Sequence, residues 1–276
     1  MPLRLPSVRR RKAPPPGAKE GPGGTPEWLT PRAPAGSRRL TSSFFERFPA
    51  FFDTSETSTQ PWRLNLRYEA MFAEHRDALE GSSVLDIASH DGRWSLAALE
   101  TGATSVVGIE AREDLVEQAG ATLRGYGIAE DRFDFVAGDV FEVLAKQPAQ
   151  VDVVLCLGFF YHTLRYNELL SRIRQCGADT LIVDTLIRPE LTDALIRIVP
   201  EPSARQGNAV QDEFSWGDEV LVGRPSFSAM KLLGEAHGFA LEGWSDWGAL
   251  LRDNPEATGV RDYRHGRRVT LRYRAL

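Results

Sequence analysis

The chain has 276 residues, a net charge of −5, an isoelectric point near 5.7 and a mean hydropathy of −0.29. This length accommodates one large α/β domain with a well-filled core. No apolar run approaches the roughly 20 residues of a membrane-spanning helix, and no apolar signal region follows the N-terminus, so we expect no membrane segment and a cytoplasmic location. Cys156 and Cys176 lack the spacing of metal ligands, which predicts reduced structural thiols and no metal site.

The first 40 residues differ in composition from the rest of the chain. They hold nine Lys and Arg against two Glu, and they are rich in Pro and Gly. Such a segment cannot bury enough apolar surface to fold alone, so we interpret residues 1–40 as a disordered basic tail. A basic tail could contact RNA or another acidic surface, but we favour a solvated extension without a specific partner.

Aromatic residues are concentrated in residues 41–80, ahead of the first predicted strand. Seven aromatic residues stand close together: Phe44, Phe45, Phe48, Phe51, Phe52, Trp62 and Tyr68. We interpret this segment as helical, with two possible roles: a lid over a ligand cleft, or a helix buried in the core. The apolar spacing of Tyr68–Leu79 predicts a helix that leads into the sheet.

The segment Val84–Ser95, VLDIASHDGRWS, predicts a buried strand, a tight turn and a helix N-terminus. This is the opening unit of a doubly wound α/β sheet, in which ligands bind beyond the carboxyl ends of the strands. The segment holds one glycine, Gly92, and the carboxylates of Asp86 and Asp91. These anions disfavour a diphosphate and favour a ligand with an ammonium or sulfonium group. Helix capping is an alternative role that suits Asp91 but not Asp86, because Asp86 lies within the strand.

Two further acids follow the next predicted strands. Glu110 ends the second strand, SVVGIE, 24 residues after Asp86, where nucleotide-binding α/β folds place a carboxylate that accepts from the ribose hydroxyls. Asp139 follows the third strand, Arg132–Val136. An acid there can accept from an adenine amino group while the N–H of its neighbour Val140 donates, although an ordinary turn residue is the alternative.

The remaining pattern completes a sheet of seven strands. The fourth, Val151–Leu157, is nearly all apolar, as a central parallel strand is, and Thr180–Asp184 is the fifth. An insertion at about 186–224 contains two apolar runs that are consistent with a β-hairpin. The last two strands, Ala240–Trp247 and Arg267–Tyr273, have no clear helix between them, which favours antiparallel pairing. We therefore predict a doubly wound α/β fold with a mostly parallel seven-stranded sheet and an antiparallel last strand.

Four of these segments, in this order and spacing, resemble the class I S-adenosylmethionine-dependent methyltransferases: VLDIASHDG, VVGIE, AGDV and VLCLGFFYH. The resemblance extends from about Ser82 to the C-terminus, so we interpret residues 81–276 as a methyltransferase domain with S-adenosyl-L-methionine as its implied cofactor. More narrowly, GFFYHTLRYNELL, TLIVDTLI and RPSFSAMKLLGEAHGF are similar to the tRNA wobble-uridine carboxymethyltransferases and their methyltransferase relatives.

The resemblance implies a role for particular residues. The methionine part of the cofactor would lie against the first loop, the ribose against Glu110 and the adenine against Asp139 and its neighbour. The implied cofactor residues are Asp86, Ala88, His90, Asp91, Gly92, Glu110, Asp139, Val140 and Leu157. In the family the first loop is usually G-x-G-x-G, whereas here Ala88 and His90 replace glycines. The replacement requires a less close approach of the backbone or a His90 that points away, and it leaves open a non-catalytic cofactor-binding protein.

His162 follows the fourth strand, where the methyl group should emerge, and is our candidate general base for a hydroxyl acceptor. Its alternatives are a structural histidine bonded to backbone, or a positioning group for a carboxylate acceptor that needs no base. Phe159, Phe160 and Tyr161 would shape the acceptor wall or contact the sulfonium by cation–π attraction.

We therefore expect O-methylation of a small molecule by in-line methyl transfer. The alternative is modification of RNA by methyl or carboxymethyl transfer. Several arginines near the C-terminus would favour RNA: Arg264, Arg267, Arg268, Arg272 and Arg274. However, alternating arginines on a strand are typical of a solvated or protected sheet edge. A carboxymethyl donor would also need a cation near the transferred group, and the sequence does not single one out.

Overall fold

The computed structural model describes residues 39–40, 43–54, 61–190 and 192–276. The predicted basic tail up to residue 38, and residues 41–42 and 55–60 of the aromatic segment, lie outside the described residues. Within the described part of the chain, no helix is long and apolar enough to cross a membrane. The cytoplasmic location stays a prediction.

The strands of the described chain form one seven-stranded sheet and one separate hairpin. In chain order they are β1 (Ser83–Ile87), β2 (Ser105–Glu110), β3 (Phe133–Ala137), β4 (Val153–Leu157), β5 (Thr180–Leu186), β6 (Ile196–Pro202), β7 (Glu219–Pro225), β8 (Phe239–Trp244) and β9 (Arg268–Ala275). The order across the main sheet is β3-β2-β1-β4-β5-β9-β8. Strands β1 to β5 pair in parallel, and β9 runs antiparallel to both β5 and β8. The predicted doubly wound sheet with an antiparallel last strand is confirmed.

Helices and short 3-10 turns connect the strands. The helices are α1 (Ala50–Thr54), α2 (Pro61–Met71), α3 (Arg76–Leu79), α4 (Arg93–Thr101), α5 (Glu113–Gly125), α6 (Val140–Lys146), α7 (Tyr166–Gln175), α8 (Phe227–Ala236), α9 (Trp247–Asp253) and α10 (Arg261–Arg264). The 3-10 turns are Phe44–Arg47, Ala73–His75, Glu130–Arg132 and Phe160–His162.

The sheet separates two cores, because successive side chains of a strand point to opposite faces. On β4, Val154 and Cys156 pack with α6, α7 and α8, whereas Val153 and Leu155 pack with α4 and the aromatic segment. Both cysteines of the chain are buried and unpaired, Cys176 at the end of α7. The apolar character of β4 therefore follows from burial on both faces.

The aromatic side chains before β1 are mostly core residues. Phe45, Phe51 and Phe72 are fully buried, and the rings of Phe45 and Phe72 both lie 5.7 Å from that of Trp94 on α4. The predicted single helix over Tyr68–Leu79 is wrong, because the chain there forms the end of α2, a 3-10 turn and then α3. The described aromatic residues thus cover one face of the sheet.

The segment between β8 and β9 differs from the prediction. It contains two short helices, α9 and α10, where no clear helix was expected. Trp247, Leu250 and Leu251 are buried on one face of α9, at the spacing of an amphipathic helix. In addition, β9 lies inside the sheet between β5 and β8. The interpretation of its arginines as edge residues is therefore wrong, and Arg268 is buried.

Candidate functional site

A cleft of about 270 Å³ lies at the carboxyl ends of β1, β2 and β4, where a doubly wound sheet binds its ligands. Residues 206–210, in the loop between β6 and β7, form one of its walls. This wall is fastened to the sheet, because Arg112 Nη2 donates to the carbonyl of Asn208 at 3.1 Å. The insertion is thus a hairpin, as predicted, and it confines a space near the lower limit of small-ligand pockets, about 300 Å³.

Nine of the thirteen predicted site residues line this cleft. They are Ala88, His90, Glu110, Asp139, Val140, Leu157, Phe159, Tyr161 and His162. The other four do not line the cleft: Asp86, Asp91, Gly92 and Phe160. Phe160 turns into the core, where its ring stacks on Tyr166 with centroids 4.8 Å apart.

Two residues of the first loop that are not glycine have backbone angles that favour glycine. Ala88 and His90 have φ angles of 55° and 53°, in the left-handed region that favours glycine. A non-glycine residue there is strained by roughly 1–2 kcal/mol. Ala88 and His90 nevertheless both line the cleft, so this part of the cleft wall has a backbone conformation that glycine adopts more readily than other residues.

Asp91 and Gly92 support the loop from behind. Asp91 is fully buried and accepts from Thr54 Oγ1 and Arg93 Nη1, both at 2.7 Å. Burial by itself would raise the pKa of Asp91, but Arg93, together with His90 and Thr54, lowers that pKa to about 2. Gly92 is the residue before α4, and a Cβ on it would lie 3.0 Å from that of Ala119. These residues fix the loop rather than contact the cleft.

Asp86 is buried with half of its carboxylate unsatisfied. Its Oδ2 accepts from Ser95 Oγ at 2.7 Å, whereas Oδ1 has no partner among the described residues. Burial raises the pKa of Asp86 to about 7, because the protein interior penalises the charged form. Asp86 therefore stands beneath the loop as a carboxyl group that changes its charge near neutral pH.

This shifted pKa predicts a pH dependence of stability. Folded Asp86 keeps its proton up to about pH 7, whereas an unfolded aspartate loses it near pH 4. Between these values the folded state binds more protons, so its stability falls as the pH rises. Between about pH 5 and pH 8, we expect Asp86 to lower the free energy of unfolding by on the order of 3 kcal/mol.

Chemical denaturation of the wild type and of Asp86→Asn at these two pH values tests the expectation. The substitution should remove most of the difference, while the same substitution at the exposed Asp131 should leave it unchanged. An equal pH difference in the wild type and Asp86→Asn would contradict the raised pKa.

Glu110 and Asp139 present carboxylates at the β2–β3 end of the cleft. Backbone N–H groups hold Glu110, since His90 donates to Oε2 and Arg112 to Oε1, each at 3.1 Å. Asp139 caps α6 through Oδ1, which accepts from the N–H groups of Phe141 and Glu142. Its Oδ2 accepts no bond from the described residues. The alternative considered for Asp139 was an ordinary turn residue, whereas in the structure it caps a helix and also lines the cleft.

At the β4 end of the cleft, His162 is paired with an acid of the hairpin. Its Nδ1 lies 2.6 Å from Oε2 of Glu201, and both side chains are about nine-tenths buried. A carboxylate can only accept, so Nδ1 carries the proton and Nε2 is the free acceptor. Nε2 bonds to no described residue. An imidazole held in this way is suited to remove a proton from a ligand.

Beside His162, arginines converge on one buried aspartate. Arg268 donates to Asp184 Oδ1 at 2.9 Å and to the hydroxyl of Tyr161, also at 2.9 Å. Arg67 donates to the same Asp184 oxygen at 3.2 Å. Arg63 binds Asp262 through both terminal nitrogens, and Arg268 also donates to Asp262. Three guanidinium groups thus meet the two carboxylates of Asp184 and Asp262, and the carboxylate of Glu201 lies at the same end of the cleft, on His162.

Arg67 retains a donor for a ligand. Its side chain is 9% exposed and lines the cleft, but its Nε is buried without a partner in the described part of the chain. An unsatisfied buried donor costs about 1–3 kcal/mol. An anionic group bound in the cleft beside Arg67 would interact favourably with its positive charge.

The sequence did not single out Glu201, Asp184, Arg63 or Arg67, and it assigned Arg268 to a sheet edge rather than to the site. One signal was available: Arg63 and Arg67 are four residues apart on α2, so they lie on the same face. No such signal marks Glu201, which is 39 residues from His162.

Residues 84–178 match the family model described as a methyltransferase domain. The match begins in β1 and ends just before β5, so it includes the strands that carry Asp86, Glu110 and Leu157. No curated protein matches the chain.

Solved structures of methyltransferases share the fold at low sequence identity. The magnesium protoporphyrin IX methyltransferase of Synechocystis, solved with S-adenosylhomocysteine bound, is 14% identical over 84% of this chain and 94% of its own, with a TM-score of 0.54. The 1,6-didemethyltoxoflavin-N1-methyltransferase of Burkholderia thailandensis is 16% identical over 86% and 91%, with a TM-score of 0.53. An S-adenosylmethionine-dependent methyltransferase of Mesorhizobium loti is 15% identical over 71% and 92%, with a TM-score of 0.51.

Proposed function

We propose that the chain acts as a class I S-adenosylmethionine-dependent methyltransferase and that it methylates an oxygen atom of a small molecule. The observation that carries this proposal is the His162–Glu201 pair at the β4 end of the cleft. S-adenosyl-L-methionine supplies an electrophilic methyl group on a sulfonium. A neutral hydroxyl is a weak nucleophile, and a positioned base is the group that such an acceptor requires.

Residues at the β4 end of the cleft would have separate roles toward the acceptor. Nε2 of His162 would take the hydroxyl proton as the oxygen–methyl bond forms and the sulfur–methyl bond of the donor breaks, which releases S-adenosylhomocysteine. Glu201 would stabilise the resulting imidazolium. Phe159 and Tyr161 line the same part of the cleft and would orient the acceptor. The hairpin wall at residues 206–210 would limit access of water to the reaction.

The residues of the cleft fit each part of the cofactor. Glu110 would accept from the ribose hydroxyls, and Asp139 and Val140 would bind the adenine. Ala88 and His90 would lie along the methionine part, with Leu157 at the next strand end. The unpartnered Nε of Arg67 would donate to the methionine carboxylate. The nine-residue set that lines the cleft therefore remains our proposal for the cofactor and acceptor site.

Glu110→Gln should weaken binding of S-adenosylhomocysteine about tenfold or more, because an amide replaces one of two acceptor oxygens and charged hydrogen bonds contribute about 1.5–3 kcal/mol. Isothermal titration calorimetry measures the change. Glu113→Gln, an exposed neighbour on α5, should bind as the wild type does. A Glu110→Gln dissociation constant within about twofold of the wild type would remove Glu110 from the ribose site.

A small acceptor is favoured over RNA by the pairing of three of the five arginines near the C-terminus, Arg268, Arg272 and Arg274. Arg268 is bonded to two aspartates inside the protein. Arg272 binds Asp77 and Glu242, and Arg274 also binds Glu242. These side chains are therefore largely neutralised by intramolecular pairs. The narrower resemblance to the tRNA wobble-uridine group stays a prediction.

Isotope-labelled S-adenosyl-L-methionine tests the proposal directly. The full chain would be incubated with a metabolite extract and, separately, with total RNA. Label in a small molecule as a methyl ether or methyl ester supports the proposal, and label in RNA contradicts it. Binding of S-adenosylhomocysteine without transfer in either fraction would indicate a non-catalytic cofactor-binding protein.

A further inference from the structure

A second cavity lies beside the methyl-transfer cleft and has a different character. It has a volume of about 510 Å³ and lies between the end of β5, the end of β7 and α10. Backbone hydrogen bonds join these walls, since Ile187 N–H donates to the carbonyl of Arg267 and Arg188 N–H to that of Pro225. The cavity is therefore a built feature of the fold rather than a gap between loops.

Its lining is strongly basic. Four arginines and a histidine face one acid: Arg188, Arg224, Arg261, Arg267 and His265, with Asp262. The acid is already engaged, because Asp262 accepts from Arg63 and Arg268. Of these four arginines, only Arg188 has an acidic partner of its own among the described residues, Glu190.

Three of these guanidinium groups have no acceptor among the described residues. The side chains of Arg224, Arg261 and Arg267 make neither a hydrogen bond nor an ion pair there. The Nε atoms of Arg224 and Arg188 are moreover buried without a partner. Guanidinium groups that line one cavity repel one another. An anion bound in the cavity reduces this repulsion and accepts from their N–H groups.

We propose that this cavity binds the phosphate monoester of a small molecule, at a site separate from the methyl-transfer cleft. A phosphate monoester carries a charge of about −1.5 to −2 and three acceptor oxygens. This charge and this number of acceptors suit the three unpaired arginines better than a single carboxylate does. Guanidinium groups also bind phosphate through paired N–H donors.

The position of Asp262 places the two cavities side by side. Its carboxylate lines the phosphate cavity and holds Arg63 and Arg268, which line the methyl-transfer cleft. The proposed phosphate site nevertheless uses Arg224, Arg261 and Arg267, none of which lines that cleft. Its occupancy can therefore be tested without reference to methyl transfer.

The test is titration of the full chain with inorganic phosphate and with pyrophosphate, followed by calorimetry and by the shift in melting temperature. Sodium chloride of equal ionic strength serves as the reference. Arg224→Ala and, separately, Arg267→Ala should each weaken binding about tenfold or more, since a charge-assisted hydrogen bond is lost. Arg124→Ala, an exposed arginine on α5, is the matched control and should bind as the wild type does. Arg267 is exposed, so its substitution keeps the test valid if Arg224→Ala folds poorly.

Three outcomes would overturn the proposal. The first is a wild-type response to phosphate no larger than that to sodium chloride. The second is equal binding by the wild type, Arg224→Ala and Arg267→Ala. The third is that a short single-stranded RNA binds through the same arginines and that pyrophosphate does not displace this RNA. That outcome would assign the cavity to nucleic acid.

Discussion

Asp184→Asn is expected to lower the free energy of unfolding by about 3–5 kcal/mol, the range for breaking a buried ion pair from one side. Asp184 is fully buried, and both of its oxygens are used. Oδ1 accepts from Arg67 and Arg268, and Oδ2 accepts from Tyr263 and Thr270 at 2.8 and 2.9 Å. An asparagine would turn an amide N–H₂ toward groups that also donate. It would leave the arginines with one carboxylate, that of Asp262.

Denaturant unfolding monitored by tryptophan fluorescence measures this loss. Asp131→Asn, the same change at an exposed position, should alter the free energy by less than about 0.5 kcal/mol. A loss of less than about 1 kcal/mol in Asp184→Asn would show that the arginines do not depend on this carboxylate.

His162→Ala is expected to reduce turnover roughly 10²- to 10⁴-fold, the usual contribution of a general base. Glu201→Gln should reduce it in the same direction by at least about tenfold, because the imidazole then loses the acceptor that fixes its tautomer and balances its charge. Affinity for S-adenosylhomocysteine should change little in either variant. The rate of S-adenosylhomocysteine formation, measured with the acceptor found by labelling, reports the turnover.

His237→Ala is the control for this series. His237 bonds Asn167 at the surface and does not line the cleft, so its turnover should equal that of the wild type. Unchanged turnover in His162→Ala would exclude the base and favour an acceptor that is already ionised, such as a carboxylate. A parallel loss of cofactor affinity would instead indicate a structural role for His162.

Much of the fold could be predicted because strand periodicity and strand-end chemistry are local properties of the sequence. The strands that carry Asp86, Glu110 and Leu157 were placed within two residues, and parallel pairing brings their ends to one edge. The helices between β8 and β9 were not predicted, since α9 is only two turns long and α10 one. Short helices are defined by the packing of a few side chains rather than by a sustained period.

The contacts that give the site its charge could not be predicted, because they join distant parts of the chain. Asp184 binds Arg67, which is 117 residues away in the sequence, and Arg268, which is 84 residues away. A sequence shows that each is ionisable but not which of them meet. The backbone at Ala88 and His90 was a different difficulty. The replacement of glycine predicted a less close approach of the backbone or a His90 that points away, but it did not predict that both residues adopt left-handed φ angles.

The β6–β7 hairpin both supplies the acid that binds His162 and forms a wall of the cleft. Glu201 lies on β6, and Asn208 lies in the loop that follows, where its carbonyl holds Arg112 against the cleft. Seven registered residue pairs make the two strands move as a unit. Any displacement of the hairpin away from the cleft would therefore also withdraw the Glu201 carboxylate from His162. The same element that walls the cleft thus holds the acceptor for the Nδ1 proton of the candidate base.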